Sequence, residues 1–223
     1  MSDRIAVIGA GQMGNGIAHV FAQAGFPVTM IDVSPAALEK GRATIERNLD
    51  RQVKKGTIDE GAKAATLGNL ATAGELAAAA EATLIVEAAT ENVDLKFRIF
   101  AELDAVAPGG AILASNTSSI SITQIAARTK RPESVIGMHF MNPVPVMQLV
   151  EVIRGIATSD ATAEKTVALA KAVGKVPCEA SDYPGFIANR ILMPMINEAF
   201  YCLMEGVGTA ESIDTVMKLG MNH

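Results

Sequence analysis

The chain has 223 residues, room for one large domain or two small ones, and 49% are hydrophobic, enough for a substantial core. Its net charge of −5 offers no basic footprint for nucleic acid, and no apolar run approaches the length of a membrane span. The opening Met1-Ser2-Asp3-Arg4 is not a signal peptide. Cys178 and Cys202, without metal-ligand spacing, read as small core residues of a cytoplasmic protein that binds no metal.

Residues 5–8 (Ile-Ala-Val-Ile) form an apolar run long enough for one buried strand. Gly9-Ala10-Gly11-Gln12-Met13-Gly14 follows at once, with its glycines in G-x-G-x-x-G spacing. Ile17, Ala18, Phe21 and Ala22 then recur at helical spacing, and Gly25 is placed to end the helix. A second strand, 28–31, runs into Asp32. Strand, glycine turn, helix and an acidic strand end together make a dinucleotide fingerprint. The first glycine permits a tight turn, the second lets backbone approach a pyrophosphate, and the third lets helix pack on strand. Ser34 before Pro35 is the better helix cap, which leaves Asp32 for the adenine ribose and predicts NAD over NADP.

Beyond Pro35 a helix is predicted to about residue 55, with a narrow stripe of Leu38, Ile45, Leu49 and Val53. So narrow a stripe suggests an arm standing partly off the body. Its basic end, Lys54-Lys55, reads either as dipole compensation or as a clamp for a phosphorylated substrate. Thr57 with Glu60 reads as a capping box. Strands are then predicted at 70–72, 83–88, 111–115, 135–138, 149–153 and 176–180. Helices are predicted from 73 to about 82, over 93–107, from Ser121, and over 160–174. This alternation indicates an α/β fold, a Rossmann-type doubly wound sheet. The Pro-containing loop Asn142-Pro143-Val144-Pro145 is too short for a helical crossover, so the next strand is expected to be antiparallel. Pro184-Gly185 breaks the pattern and only helix follows. The predicted domains are 1–184 and a truncated all-helical 185–223.

Ligands in such sheets sit beyond the carboxyl ends of the strands, where Glu91, Asn116 to Ser119, and His139 fall. His19 lies within the first helix and His223 ends the chain, so His139 is the acid–base candidate. Glu151 interrupts the apolar run 149–153, and such a carboxylate is rarely buried alone. A carboxylate holding one ring nitrogen would leave the other to exchange a proton as hydride leaves a carbon.

Several stretches carry a resemblance. They are the glycine motif, Glu87-Ala88 with Glu91-Asn92, Ser115-Asn116-Thr117-Ser118-Ser119, the run from Gly137 to Met147, the run from Leu149 to Ile153, and Pro184-Gly185-Phe186-Ile187-Ala188-Asn189-Arg190. Through them the chain resembles the 3-hydroxyacyl-CoA dehydrogenase family, in particular its bacterial 3-hydroxybutyryl-CoA members. The resemblance implies NAD as cofactor, an acyl-CoA substrate, and His139 as general acid/base with Glu151 orienting it. It implies Ser118 and Asn189 as hydrogen-bonders near the substrate oxygen. Glu91, Lys96 and Asn142, with Asn116, would line the cofactor site, and Ser118, Lys54 and Lys55 would meet CoA. It also implies a homodimer formed through the helical domain, which in the family continues into further helices. The other class of reading is a non-catalytic dinucleotide-binding protein that kept the fold.

Overall fold

The computed structural model describes residues 3–223. The chain divides into two compact units, 1–183 and 184–223. In the first, β1 (Ile5–Ile8) leads through the glycine turn into α1 (Gln12–Gln23), β2 (Val28–Ile31), α2 (Pro35–Lys54) and α3 (Glu60–Gly68). Next come β3 (Leu70–Ala73), β4 (Leu84–Glu87), α4 (Val93–Val106), β5 (Ile112–Ser115) and α5 (Ile122–Ala126). β6 (Val135–Phe140), β7 (Leu149–Arg154), α6 (Asp160–Ala172) and β8 (Val176–Ser181) complete it.

All eight strands join one sheet in the order β3-β2-β1-β4-β5-β6-β7-β8. Every neighbouring pair is parallel except β6 and β7, as the short proline loop requires. The order reverses between β1 and β4, which makes the carboxyl ends of these strands the ligand crevice of a doubly wound sheet. β1 and β4 are buried on both faces, and Ile17, Phe21, Ile45 and Leu49 pack over them as one core.

Several local expectations are corrected. The arm does not stand off: α2 lies along α1 and buries Leu38, Gly41, Ile45 and Leu49. A Cβ on Gly41 would come within 3.0 Å of the Ala10 carbonyl, so a glycine permits this approach. The cap of α3 is Asp59, whose carboxylate accepts from the Ala62 amide at 2.7 Å, while Thr57 donates back to the Gln52 carbonyl. Aspartate caps as well as threonine and stands directly before the helix. The helix expected near 73–82 is only a 3₁₀ turn, Leu76–Ala79, because the short crossover must turn at both ends. Cys178 is exposed and Cys202 half-buried, so neither is a core residue. β8 is an edge strand and presents most of its side chains outward.

The second unit contains α7 (Ala188–Met204) and α8 (Ala210–Thr215), the latter extended by a π-turn at Val216–Gly220. No residue of α7 is buried, and Ile191, Phe200 and Met204 are largely exposed. Among the described residues, no helix is long and apolar enough to cross a membrane.

His19 lies wholly inside the core on α1, with Gln23 as a hydrogen-bonding neighbour that offsets only part of the cost of burial. Burial first, and the Lys175 ammonium in addition, push it down to about 4. The unfolded chain therefore takes up a proton near the ordinary histidine value of 6.5 that the folded chain refuses until about 4. Stability should fall as pH drops through that window, and His19→Leu should flatten this part of the slope. Urea unfolding of both proteins across the window measures the difference; parallel pH curves would show that His19 contributes nothing.

Candidate functional site

The glycine turn forms the first wall of the crevice. Gly9 adopts a φ of 103°, which favours glycine, and a Cβ on Gly14 would sit 1.9 Å from the Gly9 carbonyl oxygen. At Gly11 a Cβ would meet nothing within 4 Å, so the backbone opens onto free space at the N-terminus of α1. Exposed Gln12 donates to Asn142 Oδ1 at 3.0 Å, which joins this turn to the loop after β6. Met13 packs against the core. Asp32 is not free, as the capping argument assumed: its carboxylate accepts from the Ala10 amide at 2.8 Å and the Ser34 amide at 2.9 Å. A carboxylate has about four acceptor positions, so the two bonds aim it and leave capacity for a diol. Ser34 caps α2 as expected.

A buried ionic network forms the floor. Glu87, the last residue of β4, is fully buried. Its Oε1 accepts from the Lys96 ammonium at 2.7 Å and the Ala89 amide at 2.7 Å, and its Oε2 from the Ser115 hydroxyl at 2.7 Å. Lys96, only 1% exposed, also pairs with Glu91 at 3.3 Å. It thus lies buried between the two glutamates. Glu91 accepts from the Thr117 and Ser119 hydroxyls and from the Ser118 amide at 3.0 Å. Burial would raise the Glu91 carboxyl, but the Thr117 bond, the Lys96 charge and the Ser118 amide hold it below its ordinary value. Asn116 Oδ1 accepts from the Phe140 amide at 2.9 Å and ties this loop to β6.

His139 and Glu151 face each other as register partners across the antiparallel pair. His139 Nδ1 and Glu151 Oε2 are 2.8 Å apart, and both residues are buried. Fixing one ring nitrogen on a carboxylate orients the imidazole and favours proton exchange at the other. The loop beyond β6 is held by a residue that sequence reasoning passed over. Lys175, buried at the start of β8, donates to the carbonyls of Val144 and Met147, and burial pushes its ammonium below the ordinary lysine value. Val144 meets α1 where Gly16 leaves room for it.

A cavity of about 480 Å³ opens between Gly11, Gln12, α2 and Asn142. Lys40, Thr44 and Asn48 line it, an i, i+4, i+8 row that was legible on the helix but hidden among its many charges. Lys54 and Lys55 are exposed at the far end of α2 and do not line it. Another cavity, of about 660 Å³, lies at the opposite ends of β1 and β2 and holds none of the predicted site residues. Asn189 belongs to the second unit, as the second residue of α7. Among the described residues, no group of His, Cys, Asp and Glu is arranged to hold a metal ion.

Residues 4–183 match the model of the 3-hydroxyacyl-CoA dehydrogenase NAD-binding domain, and residues 185–223 that of the family's C-terminal domain. The chain belongs to the 3-hydroxyacyl-CoA dehydrogenase family. It is 55% identical to a 3-hydroxybutyryl-CoA dehydrogenase of Bradyrhizobium diazoefficiens, over 99% of this chain and 75% of that protein. It is 53% identical to a probable 3-hydroxybutyryl-CoA dehydrogenase of Bacillus subtilis, over 99% and 77%. The crystal structure of the (S)-3-hydroxybutyryl-CoA dehydrogenase of Ralstonia eutropha superimposes with a TM-score of 0.97 at 49% identity, covering 100% of this chain and 79% of that one. The crevice fits the dinucleotide of a 3-hydroxyacyl-CoA dehydrogenase: open backbone at Gly11, a helix N-terminus, and an aimed acceptor at Asp32.

Removing Lys96 would leave Glu87 buried without its cation. Lys96→Met should therefore cost roughly 3–5 kcal/mol, as breaking buried ion pairs does. Equilibrium urea unfolding checks this; a loss of only a few tenths of a kcal/mol, typical of exposed pairs, would contradict it.

Proposed function

We propose that this chain is an NAD-dependent oxidoreductase that interconverts (S)-3-hydroxyacyl-CoA, notably 3-hydroxybutyryl-CoA, and the 3-ketoacyl-CoA. The observation that carries the reading is the buried His139–Glu151 pair, three strands along the sheet from β1 and its glycine turn. NAD, when bound, supplies the two-electron acceptor for oxidation, and its reduced form the donor for the reverse reaction. The residues of this chain manage the proton. With Nδ1–H donated to Glu151, His139 Nε2 takes the hydroxyl proton as the C3–H electron pair departs and the C3=O bond forms. The Glu151 carboxylate stabilises the imidazolium so produced. In the reverse direction His139 returns that proton to the new alkoxide oxygen.

In this reading Ser118 and Asn189 hydrogen-bond near the substrate oxygen. Gly9, Ala10, Gly11, Gln12, Met13 and Gly14 present backbone to the pyrophosphate, and Asp32 takes the adenine ribose. Glu91, Asn116 and Asn142 border the nicotinamide, with Lys96 holding Glu91 in place. Ser118 and the exposed ammonium groups of Lys54 and Lys55 meet the CoA moiety. Residues 1–184 then serve as the NAD-binding domain, and the helical residues 185–223 serve in substrate binding and dimerisation. Exposed Ile191, Phe200 and Met204 support pairing of two copies through the latter. Free thiols at Cys178 and Cys202 suit the reducing cytoplasm. A purely binding role would not require a buried acid–base pair at this position.

Oxidation of NADH driven by acetoacetyl-CoA tests the activity, and absence of turnover would refute it. His139→Gln should lower turnover by about 10²–10⁴-fold while NADH affinity stays the same, the usual worth of a general acid–base group. Glu151→Gln should lower it too, since a neutral amide stabilises imidazolium less. Turnover by His139→Gln at the unsubstituted rate would point to another base. Because Asp32 repels a 2′-phosphate, NADH should bind more tightly than NADPH, and Asp32→Ala should weaken NADH more. Titrations showing equal affinities would contradict this role.

A further inference from the structure

The ionic network beneath the crevice has a charge that its hydrogen bonds disclose. Every partner of Glu87 donates to it: the Lys96 ammonium, the Ala89 amide and the Ser115 hydroxyl. Ser115 Oγ itself accepts from the Thr117 amide at 3.3 Å, so its own proton is left for Glu87. Glu91 is likewise an acceptor throughout. Thr117 Oγ1 accepts the amides of Ser119 and Ile120, which directs its proton to Glu91, and the Ser118 amide donates to the same oxygen. Carboxyl groups that only accept are ionised. Among the described residues, Lys96 is the single cation paired with either one. Two carboxylates and one ammonium leave a net charge of about −1, with Glu87 and Lys96 out of water and Glu91 partly exposed at the rim, where solvent screens it in part.

The position of this charge follows from the strand order. Asp32 ends β2 and His139 lies on β6, with β1, β4 and β5 between them. Glu87 and Ser115 are the last residues of β4 and β5. A dinucleotide with its ribose at Asp32 and its reacting ring toward His139 must cross these strand ends. The oxidised nicotinamide ring is cationic and the reduced ring is neutral.

We propose that the Glu87–Lys96–Glu91 network, two carboxylates around one ammonium, acts as a fixed negative charge that favours the oxidised over the reduced nicotinamide. This rests on the cofactor orientation given under the proposed function. Glu87 touches neither substrate nor cofactor in this account; it biases the bound couple through space. The network thereby pulls the enzyme-bound equilibrium toward NAD⁺ and the hydroxy product, with the electron pair on C3 and the proton on its oxygen.

The test is the ratio of dissociation constants, NAD⁺ over NADH, measured by NADH fluorescence and by competition with NAD⁺. Glu87→Gln keeps the shape and removes the charge, and should raise this ratio on the order of tenfold, the scale of one unit charge lost from the protein beneath the ring. Glu91→Gln removes charge from the half-exposed end and should move the ratio in the same direction, which keeps the inference testable if Glu87→Gln fails to fold. Ser115→Ala breaks the same network without altering its charge, so the ratio should stay put. A merely structural role would weaken both cofactors together. Ratios within about twofold of the unsubstituted protein in both glutamine variants would overturn the inference, being far below what a lost unit charge gives. So would an equal shift in Ser115→Ala. If the unsubstituted chain bound both cofactors yet left acetoacetyl-CoA untouched, the substrate assignment would fail while this ratio still decided the inference. If it bound neither, both would fall.

Discussion

A single backbone approach governs the nucleotide half of this fold. Between Gly14 and the Gly9 carbonyl there is no space for even one methyl group. Any side chain there would lift α1 from the sheet, and with it the helix N-terminus that faces the crevice. Gly41 repeats the condition from the other side, where α2 meets the Ala10 carbonyl. Gripped between two helices, the turn is stiff enough for Ala10 to spend its amide on Asp32. The glycines therefore fix both the phosphate cradle and the aim of the acidic residue twenty-odd positions onward.

At the carboxyl ends of the strands, Glu87, Lys96, Ser115, Thr117, His139 and Glu151 are all buried and all bonded, which is how a protein tolerates polar groups out of water. His19, inside the adjacent helix, shows the alternative: burial pushes it down to about 4, so it stays neutral into acid. The loop carrying Asn142 is braced on both sides, by Gln12 from the glycine turn and by Lys175 from β8. Its irregular backbone is thus held as firmly as a strand.

What the sequence made readable was local or forced by length. The strand–glycine–helix unit declares itself in adjacent residues, and the short proline loop leaves no route to a parallel neighbour. His139 and Glu151 could be paired because a loop of that length can return the chain beside His139, and the register places them opposite each other. Lys96 was opaque for a physical reason. A lysine in a first helical turn looks solvated, and its burial depends on Glu87, which looks like part of an apolar strand; neither is intelligible without the other. Lys175 was hidden likewise, because its partners are carbonyls, which every residue has. The cap of α3 was misread where two good capping residues stood two positions apart, Thr57 and Asp59, and the helix begins directly after the second.

The register of β6 on β7 carries a further consequence. Side chains alternate across a strand with a period of two. Were β7 to slip by one residue, valine, Val150 or Val152, would face His139 and Glu151 would turn to the opposite side of the sheet. A slip of two would restore the face but displace the carboxylate by about 7 Å, well beyond hydrogen-bonding reach. The hydrogen-bonded ladder could survive either change intact. Parity and length of the connection at 141–148 are therefore quantities in the acid–base chemistry, and an insertion there could silence the enzyme while leaving every element of the fold in place.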